Sequence, residues 1–98
     1  MTVKRADVVV STAGHDKGQI FFVLEEDGTY AYLVDGKTRK IENPKRKKIK
    51  HLKLSGVAEG RTAERLRSGE KPGNRELRTA LKEFRAADFG EMEVCKHG

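Results

Sequence analysis

The chain has 98 residues and a net charge of +6, and its charged residues (37%) are about as frequent as its hydrophobic ones (36%). A chain of this length folds as one small domain, and no apolar run approaches the roughly 18–20 residues of a membrane span. The single cysteine, Cys95, excludes an internal disulfide, and the polar start, residues 1–7, lacks the apolar core of a secretory signal. We therefore expect a cytoplasmic protein that does not associate with membranes.

Strand-forming residues alternate with turn signals in the first half of the chain. Runs of β-branched and aromatic residues predict strands at Val8–Val10, Gln19–Glu25 and Tyr30–Val34. Asp-Gly pairs follow the second and third of these runs, and such pairs favour tight hairpin turns. The three strands are therefore predicted to form an antiparallel meander.

The second strand has two apolar faces, and we take the face of Ile20, Phe22 and Leu24 as the core face. A fourth strand is predicted at about 37–42, ended by Pro44 because proline cannot donate to a ladder. Ile49 and Leu52 are three residues apart, which favours a short helical turn before a last strand at 52–54. Five short strands favour a small barrel or sandwich, which hides both the strand edges and the apolar face.

Helix-forming residues dominate after Ser55, so we divide the chain into a β domain, residues 1–54, and a helical tail, residues 55–98. A short helix is predicted at 62–67, closed by Ser68-Gly69. A longer one is predicted at 75–87, capped by Asn74 and ended before Gly90, with 91–98 as a loose end. Its narrow apolar stripe consists of Leu77, Ala80, Leu81 and Phe84, with Ala87 as a further member at its end. We expect the helix to dock on the barrel or on a partner, or to remain frayed.

The positive charge is concentrated in one segment. Residues 37–53 contain nine Lys or Arg and one acid, Glu42, so a net +8 lies on 17 residues. A field of this density attracts polyanions, and like charges this close repel one another unless a counter-surface is present. The alternative interpretation is that these charges only solvate the surface and bind no partner. The segment favours a partner that carries phosphates.

The residues DVVVSTAGHDKGQIFFV, at 7–23, follow the pattern strand, loop, glycine, strand, with Gly18 in the place of the signature glycine. This stretch resembles a KOW motif. Together with DGKTRKIENPKRKK and IKHL, it is similar to the ribosomal protein L14e family and to small stand-alone bacterial KOW proteins. The resemblance covers about 5–54 and does not extend into the tail. It implies a mainly β, five-stranded SH3-like barrel that binds ribosomal RNA.

From the charge and the resemblance together we predict a non-enzymatic RNA-binding protein that works on or near the ribosome, in translation. Its candidate RNA-binding residues lie in the first loop and in the basic segment: Ser11, Thr12, Gly14, His15, Lys17, Gly18, Lys37, Arg39, Lys40, Lys45, Arg46, Lys47, Lys48 and Lys50. The two loop glycines serve either as turn residues or as close contacts to RNA. Phe21, Tyr30 and Tyr32 either pack in the core or stack on unpaired bases.

No catalytic constellation is evident: Asp16 and Glu42 are isolated carboxylates, and no base partner lies near Cys95. The His and Cys residues lack ligand spacing, so no metal site and no cofactor are expected. A rival hypothesis is a protein-interaction module that binds a protein partner of the transcription or translation machinery, such as a ribosomal protein. It would bind through the barrel and through Leu81 and Phe84. The sequence leaves the oligomeric state open.

Overall fold

A computed structural model describes residues 3–58 and 60–97, with side chains described through Ala86. Five strands come first: β1 (Asp7–Ser11), β2 (Ile20–Glu26), β3 (Tyr30–Val34), β4 (Lys45–Lys48) and β5 (Leu52–Val57). A 3₁₀ turn, Ile49–His51, separates β4 from β5. Two helices follow, α1 (Arg61–Arg67) and α2 (Asn74–His97).

All five strands pair antiparallel in one sheet of order β4-β3-β2-β1-β5. The prediction of a mainly β, five-stranded architecture is confirmed. The sheet is open, however, because β4 and β5 form its two edges and do not pair with each other. A closed barrel is therefore not confirmed. The two edge strands are consecutive in the chain, and only the 3₁₀ turn lies between the end of β4 and the start of β5.

The β2–β3 hairpin forms where the first Asp-Gly pair predicts it. Asp27 Oδ1 accepts hydrogen bonds from the backbone N–H groups of Thr29 (3.0 Å) and Tyr30 (2.7 Å). Gly28 has a φ of 93°, which a residue with a Cβ rarely adopts. The local chemistry of these residues is sufficient to set the turn.

The predicted fourth strand at 37–42 is wrong. Asp35 Oδ1 accepts from the backbone N–H of Lys37 (2.9 Å) and of Arg39 (2.8 Å), and the carbonyl of Arg39 accepts from the N–H of Asp35 and Gly36. These bonds hold the segment in a turn and leave no ladder to extend β3. The strand begins only after Pro44, which was predicted to end it.

The strand β4 consists of four cationic residues, Lys45 to Lys48, a composition with low strand propensity. It forms because its backbone pairs with β3, in the register Lys45↔Leu33 to Lys48↔Tyr30. Tertiary pairing has therefore overridden local preference. This is the reason why the sequence pattern placed the strand too early.

Both faces of the sheet are buried. One cluster holds Phe22 and Leu24 with residues of the two helices, which confirms the predicted core face. The opposite face is equally buried: Phe21 and Val23 pack there with residues of every strand except β4 and with Ile49 of the 3₁₀ turn. The choice of a single core face for β2 was incomplete, because residues of β1, β3, β5 and the 3₁₀ turn bury its second face as well.

The helix α1 begins one residue earlier than predicted and ends at Arg67, with Ser68-Gly69 after it as expected. The helix α2 is much longer than predicted, because it continues through Gly90 to His97. A glycine costs a helix only about 1 kcal/mol relative to alanine, which is not enough to end it. The expected loose end is therefore helical backbone through His97, while Gly98 lies outside the described residues.

The long helix docks on the sheet. Leu77 and Leu81 are buried against Phe22 and Val34, and Phe84 packs against the same cluster. Burial of a leucine contributes roughly 1.5–3 kcal/mol, enough to hold a stripe too narrow to stabilise a free helix. Asn74 does not act as the predicted cap, because its side-chain oxygen accepts from Ile41 N–H (2.7 Å). Neither described helix combines the length and apolar character needed to cross a membrane.

Candidate nucleic-acid interface

The β1–β2 loop is a closed turn system rather than an open phosphate cradle. Ser11 N–H donates to the Gln19 carbonyl (3.0 Å), and Gly18 N–H donates to the Ser11 carbonyl (2.8 Å). Gly14 and Gly18 have φ values of 87° and 91°. Both glycines therefore occupy turn positions that favour glycine, and their predicted contact with RNA stays a prediction.

Asp16 lies at the centre of this loop and is buried, with 7% of its surface exposed. Its Oδ1 accepts hydrogen bonds from Ser11 Oγ (2.7 Å) and from Lys47 Nζ (2.7 Å), and its Oδ2 lies 2.8 Å from Lys45 Nζ. Lys47 Nζ also donates to the Ala13 carbonyl at 2.6 Å. One carboxylate thus joins the loop to β4 through two ammonium groups.

Burial by itself raises the pKa of the Asp16 carboxyl, but the bonds from Lys45, Lys47 and Ser11 together outweigh it. The net result is a pKa well below the ordinary value of 3.8. Asp16 is therefore an anion at every physiological pH, and it neutralises part of the charge of β4.

The side chains of β4 alternate between two environments. Lys45 and Lys47 pair with Leu33 and Ala31, so they lie on the inner face of the sheet, where only 26% and 10% of their side chains are exposed. Arg46 and Lys48 are exposed and point the other way. The basic block is therefore not one continuous ribbon, and half of it is held by Asp16.

The outward face of β4 places cations beside tyrosines. Arg46 is paired with Tyr32 and Lys48 with Tyr30 in the ladder, and both tyrosines are half-buried. The Arg46 guanidinium carbon lies 4.6 Å from the centre of the Tyr30 ring, within the range of a cation–π contact. Phe21, by contrast, is fully buried and packs in the core.

Two acids lie near this face: Glu25 is the ladder partner of Tyr32, and Asp27 lies in the β2–β3 turn. Hydrogen bonds from the backbone of Tyr30 and Thr29 lower the pKa of Asp27, with a smaller contribution from the charge of Arg46. Within the described part of the chain, however, no carboxylate lies within 4.0 Å of the Arg46 or Lys48 cation. Asp27 serves the turn, and the two cations remain available.

The 3₁₀ turn extends this face. Ile49 N–H donates to the Thr29 carbonyl (2.9 Å), which fixes the turn against the β2–β3 hairpin. Lys48 and Lys50 flank a cleft of about 360 Å³ that is also lined by Gly28 and Thr29. The hairpin, β4 and the turn therefore form one rigid surface, which we call the outer cationic face, defined by Tyr30, Tyr32, Arg46, Lys48 and Lys50.

The remaining predicted site residues lie in two places. Exposed residues of the first loop stand beside the 3₁₀ turn, to which the loop is tied by a bond from Thr12 N–H to the His51 carbonyl (2.9 Å); they are Thr12, Gly14, His15, Lys17 and Gly18. Ser11 is buried and structural. The residues after β3 lie in the turn next to α2; they are Lys37, Arg39 and Lys40, and Arg39 is half-buried.

Sequence reasoning missed the role of Asp16, which was interpreted as an isolated carboxylate. A signal was present: a strand of four successive cations must turn alternate side chains to the inner face, where each ammonium needs an anion. Asp16 lies in the loop that the sheet brings beside β4. The prediction failed because β4 itself was placed at the wrong residues.

Leu81 and Phe84, the residues of the rival interaction hypothesis, are committed to the sheet. Leu81 is buried, and a Cβ added to Gly56 would lie 2.9 Å from Phe84 Cζ, which shows how closely the ring packs on β5. A partner would reach Leu81 only if α2 left the sheet, whereas Phe84 is half-buried and also lines a cleft with Val57 and Thr62. The side chains of Cys95 and His97 lie outside the described residues, and within that range no cluster of three or more metal-ligating groups occurs.

Comparison with known proteins returns no protein-family model that matches the chain and no curated protein similar to it.

Proposed function

We propose that this protein is a non-enzymatic RNA-binding module that holds structured RNA on its outer cationic face. The observation that carries the proposal is the placement of Arg46 and Lys48 beside Tyr30 and Tyr32 on a rigid strand. Cations on a fixed support neutralise phosphates and release counterions, which supplies most of the affinity for nucleic acid.

The half-buried tyrosines add a second element. Tyrosine rings at the surface of a sheet stack on unpaired bases. Where an arginine covers a ring, a base can stack on the plane of the guanidinium group instead. Lys50, which lines the same cleft as Lys48, adds a further exposed cation to this face. Binding should therefore be directed mainly at the backbone, with weak sequence preference and a steep dependence on salt.

We further infer an SH3-like barrel of the KOW type and an association with ribosomal RNA. What supports this is the likeness of residues 7–23 to the KOW motif and of the basic segment to the ribosomal protein L14e family. The antiparallel order, with β5 beside β1 and a second apolar cluster on the face opposite the helices, is compatible with it. Sedimentation with ribosomes across a salt series tests the association directly.

The test of the RNA face compares two pairs of residues on the same strand. In Arg46→Gln/Lys48→Gln, affinity for a fragment of structured ribosomal RNA should fall about tenfold near 0.1 M salt. The slope of log affinity against log salt should become smaller by about 1.5, because two phosphate contacts are lost. Fluorescence anisotropy with a labelled fragment measures both quantities.

The matched control is Lys45→Gln/Lys47→Gln, which removes the same charge from the inner face. Its RNA affinity should change less than threefold once the folded fraction is checked by circular dichroism. Lys45→Gln alone, which keeps the bond between Lys47 and Asp16, serves if the double variant unfolds. Equal losses for the inner and outer pairs would exclude the outer cationic face as the site.

A further inference from the structure

A second concentration of positive charge lies between α2 and the turn after β3. The two elements enclose a cleft of about 410 Å³. Among the described residues, its charged lining consists of Lys37, Arg78, Lys82, Arg85 and the acid Asp35. The helical tail has almost no net charge, with nine Lys or Arg against eight Asp or Glu in residues 55–98. The positive charge of the cleft therefore comes from the positions of the charged residues around α2 and not from the net charge of the tail.

In the part of α2 whose side chains are described, residues 74–86, acids and cations lie on different faces. Arg78, Lys82 and Arg85 are spaced i, i+4, i+7, so they form one stripe about 10 Å long beside the buried leucines. Glu76 and Glu83 fall on the other flank, where Glu76 bonds to Arg65 and Glu83 faces the α1 side. Cations four residues apart repel each other slightly, so a stripe of them stabilises the helix only when an anion lies beside it.

The cleft is built from fixed parts. Gly36 is buried with a φ of 77°, and its carbonyl accepts from Arg78 Nη1 at 2.9 Å. Asn74 of α2 bonds to Ile41 N–H and to the Glu42 carboxylate (2.8 Å), so the turn and the start of the helix are held together. Lys37 and Lys82 therefore face a common space across a rigid frame.

Among the described residues that line the cleft, the acid Asp35 is hydrogen-bonded within its own turn. Asp35 Oδ1 accepts from the N–H groups of Lys37 and Arg39, and its Oδ2 accepts from Thr38 Oγ1 (2.7 Å). Within the described residues it forms no ion pair with the cations of the cleft. The lining thus keeps an excess of positive charge that faces solvent.

We propose that this cleft is a second phosphate-binding surface, which grips the backbone of the same RNA that the outer cationic face binds. The inference rests on the proposed function and assigns to the helical tail a role that the sequence resemblance does not cover. Lys37 and Lys82 are the residues expected to contact phosphate, while Arg78 positions the turn through its bond to Gly36.

The test uses the full chain and the variant Lys37→Gln/Lys82→Gln, which removes one cation from each wall of the cleft and disturbs no hydrogen bond of either side chain in the described structure. Its affinity for the ribosomal RNA fragment should fall five- to tenfold near 0.1 M salt, and the salt slope should decrease by about 1.5. The control Arg61→Gln/Lys71→Gln removes the same charge from exposed positions outside the cleft, and its affinity should change less than twofold.

Several outcomes separate this inference from the proposed function. If the wild type binds RNA and the cleft variant binds equally well, or loses no more than the control, the cleft proposal is overturned and the outer face stands. If the cleft variant loses affinity while Arg46→Gln/Lys48→Gln does not, the cleft stands and the outer face fails. Absence of RNA binding by the wild type overturns both. A cleft variant that keeps RNA affinity but loses binding to a poly-glutamate peptide indicates a protein partner instead.

Discussion

The inner and outer faces of β4 both carry basic residues, but their side chains differ in burial and in the groups they contact. Lys45 and Lys47 are largely covered and share the carboxylate of Asp16, whereas Arg46 and Lys48 are exposed beside tyrosine rings. One pair stabilises the fold by joining a loop to an edge strand, and the other pair is free for a partner. Local positive charge therefore does not identify a binding surface until the direction of each side chain is known.

The strongest way to break the inner pair is Asp16→Asn, which keeps the shape of the side chain and removes its charge. Two largely covered ammonium groups then lose their counter-ion, and we expect the free energy of unfolding to fall by roughly 2–3 kcal/mol. Urea denaturation measures the change. Glu26→Gln, at an exposed position on β2, is the control and should alter stability by less than about 0.5 kcal/mol. A similar value for the two variants would show that the Asp16 cluster does not support the fold.

The inner pair should also make stability dependent on acid pH. The pKa of Asp16 is lower in the folded than in the unfolded state, so the unfolded chain binds more protons in acid. The contribution of Asp16 is fully present above the ordinary carboxyl pKa and is lost as the pH falls below about 4 toward the lowered value. The difference in unfolding free energy between wild type and Asp16→Asn should therefore shrink between pH 5 and pH 2. A constant difference would contradict the assignment.

Asp16→Asn should also convert the inner pair into available cations. Lys45 and Lys47 would then lack an anion, and phosphate would be the competing partner. We expect the slope of log affinity against log salt to become steeper by about 1, provided that RNA lies close to the first loop. An unchanged slope in the folded variant would place the RNA away from the loop and restrict it to the outer cationic face.

The smallest effect concerns the stability of the outer pair. Arg46→Gln removes an exposed cation–π contact with Tyr30, and we expect unfolding free energy to fall by at most about 1 kcal/mol. The same variant should weaken RNA binding several-fold. A large loss of stability with unchanged RNA affinity would reverse the roles assigned to the two faces.

Local signals predicted much of the fold. The Asp27-Gly28 turn, the strand at Tyr30–Val34 and the short turn before β5 depend on residues close in the chain, and all three are confirmed. The strand β4 depends on pairing with β3, so it did not follow from local preference. The length of α2 was underestimated because Gly90 was given too much weight as a helix end. The candidate site was predicted only as a set of residues. The fold brings Arg46, Lys48 and Lys50 together, and it places Lys37 and Lys40 apart from them, next to α2.

By itself the sequence determined that the chain is mainly β in its first half, that a basic segment follows β3 and that the tail is helical, because these features depend on composition and on neighbouring residues. Tertiary structure alone decided that Asp16 neutralises Lys45 and Lys47, that Arg46 and Lys48 remain exposed, and that Lys37 faces Lys82 across a cleft. The reason is that electrostatic attraction and repulsion act between groups that are close in space, and the fold brings together charges that lie tens of residues apart in the chain.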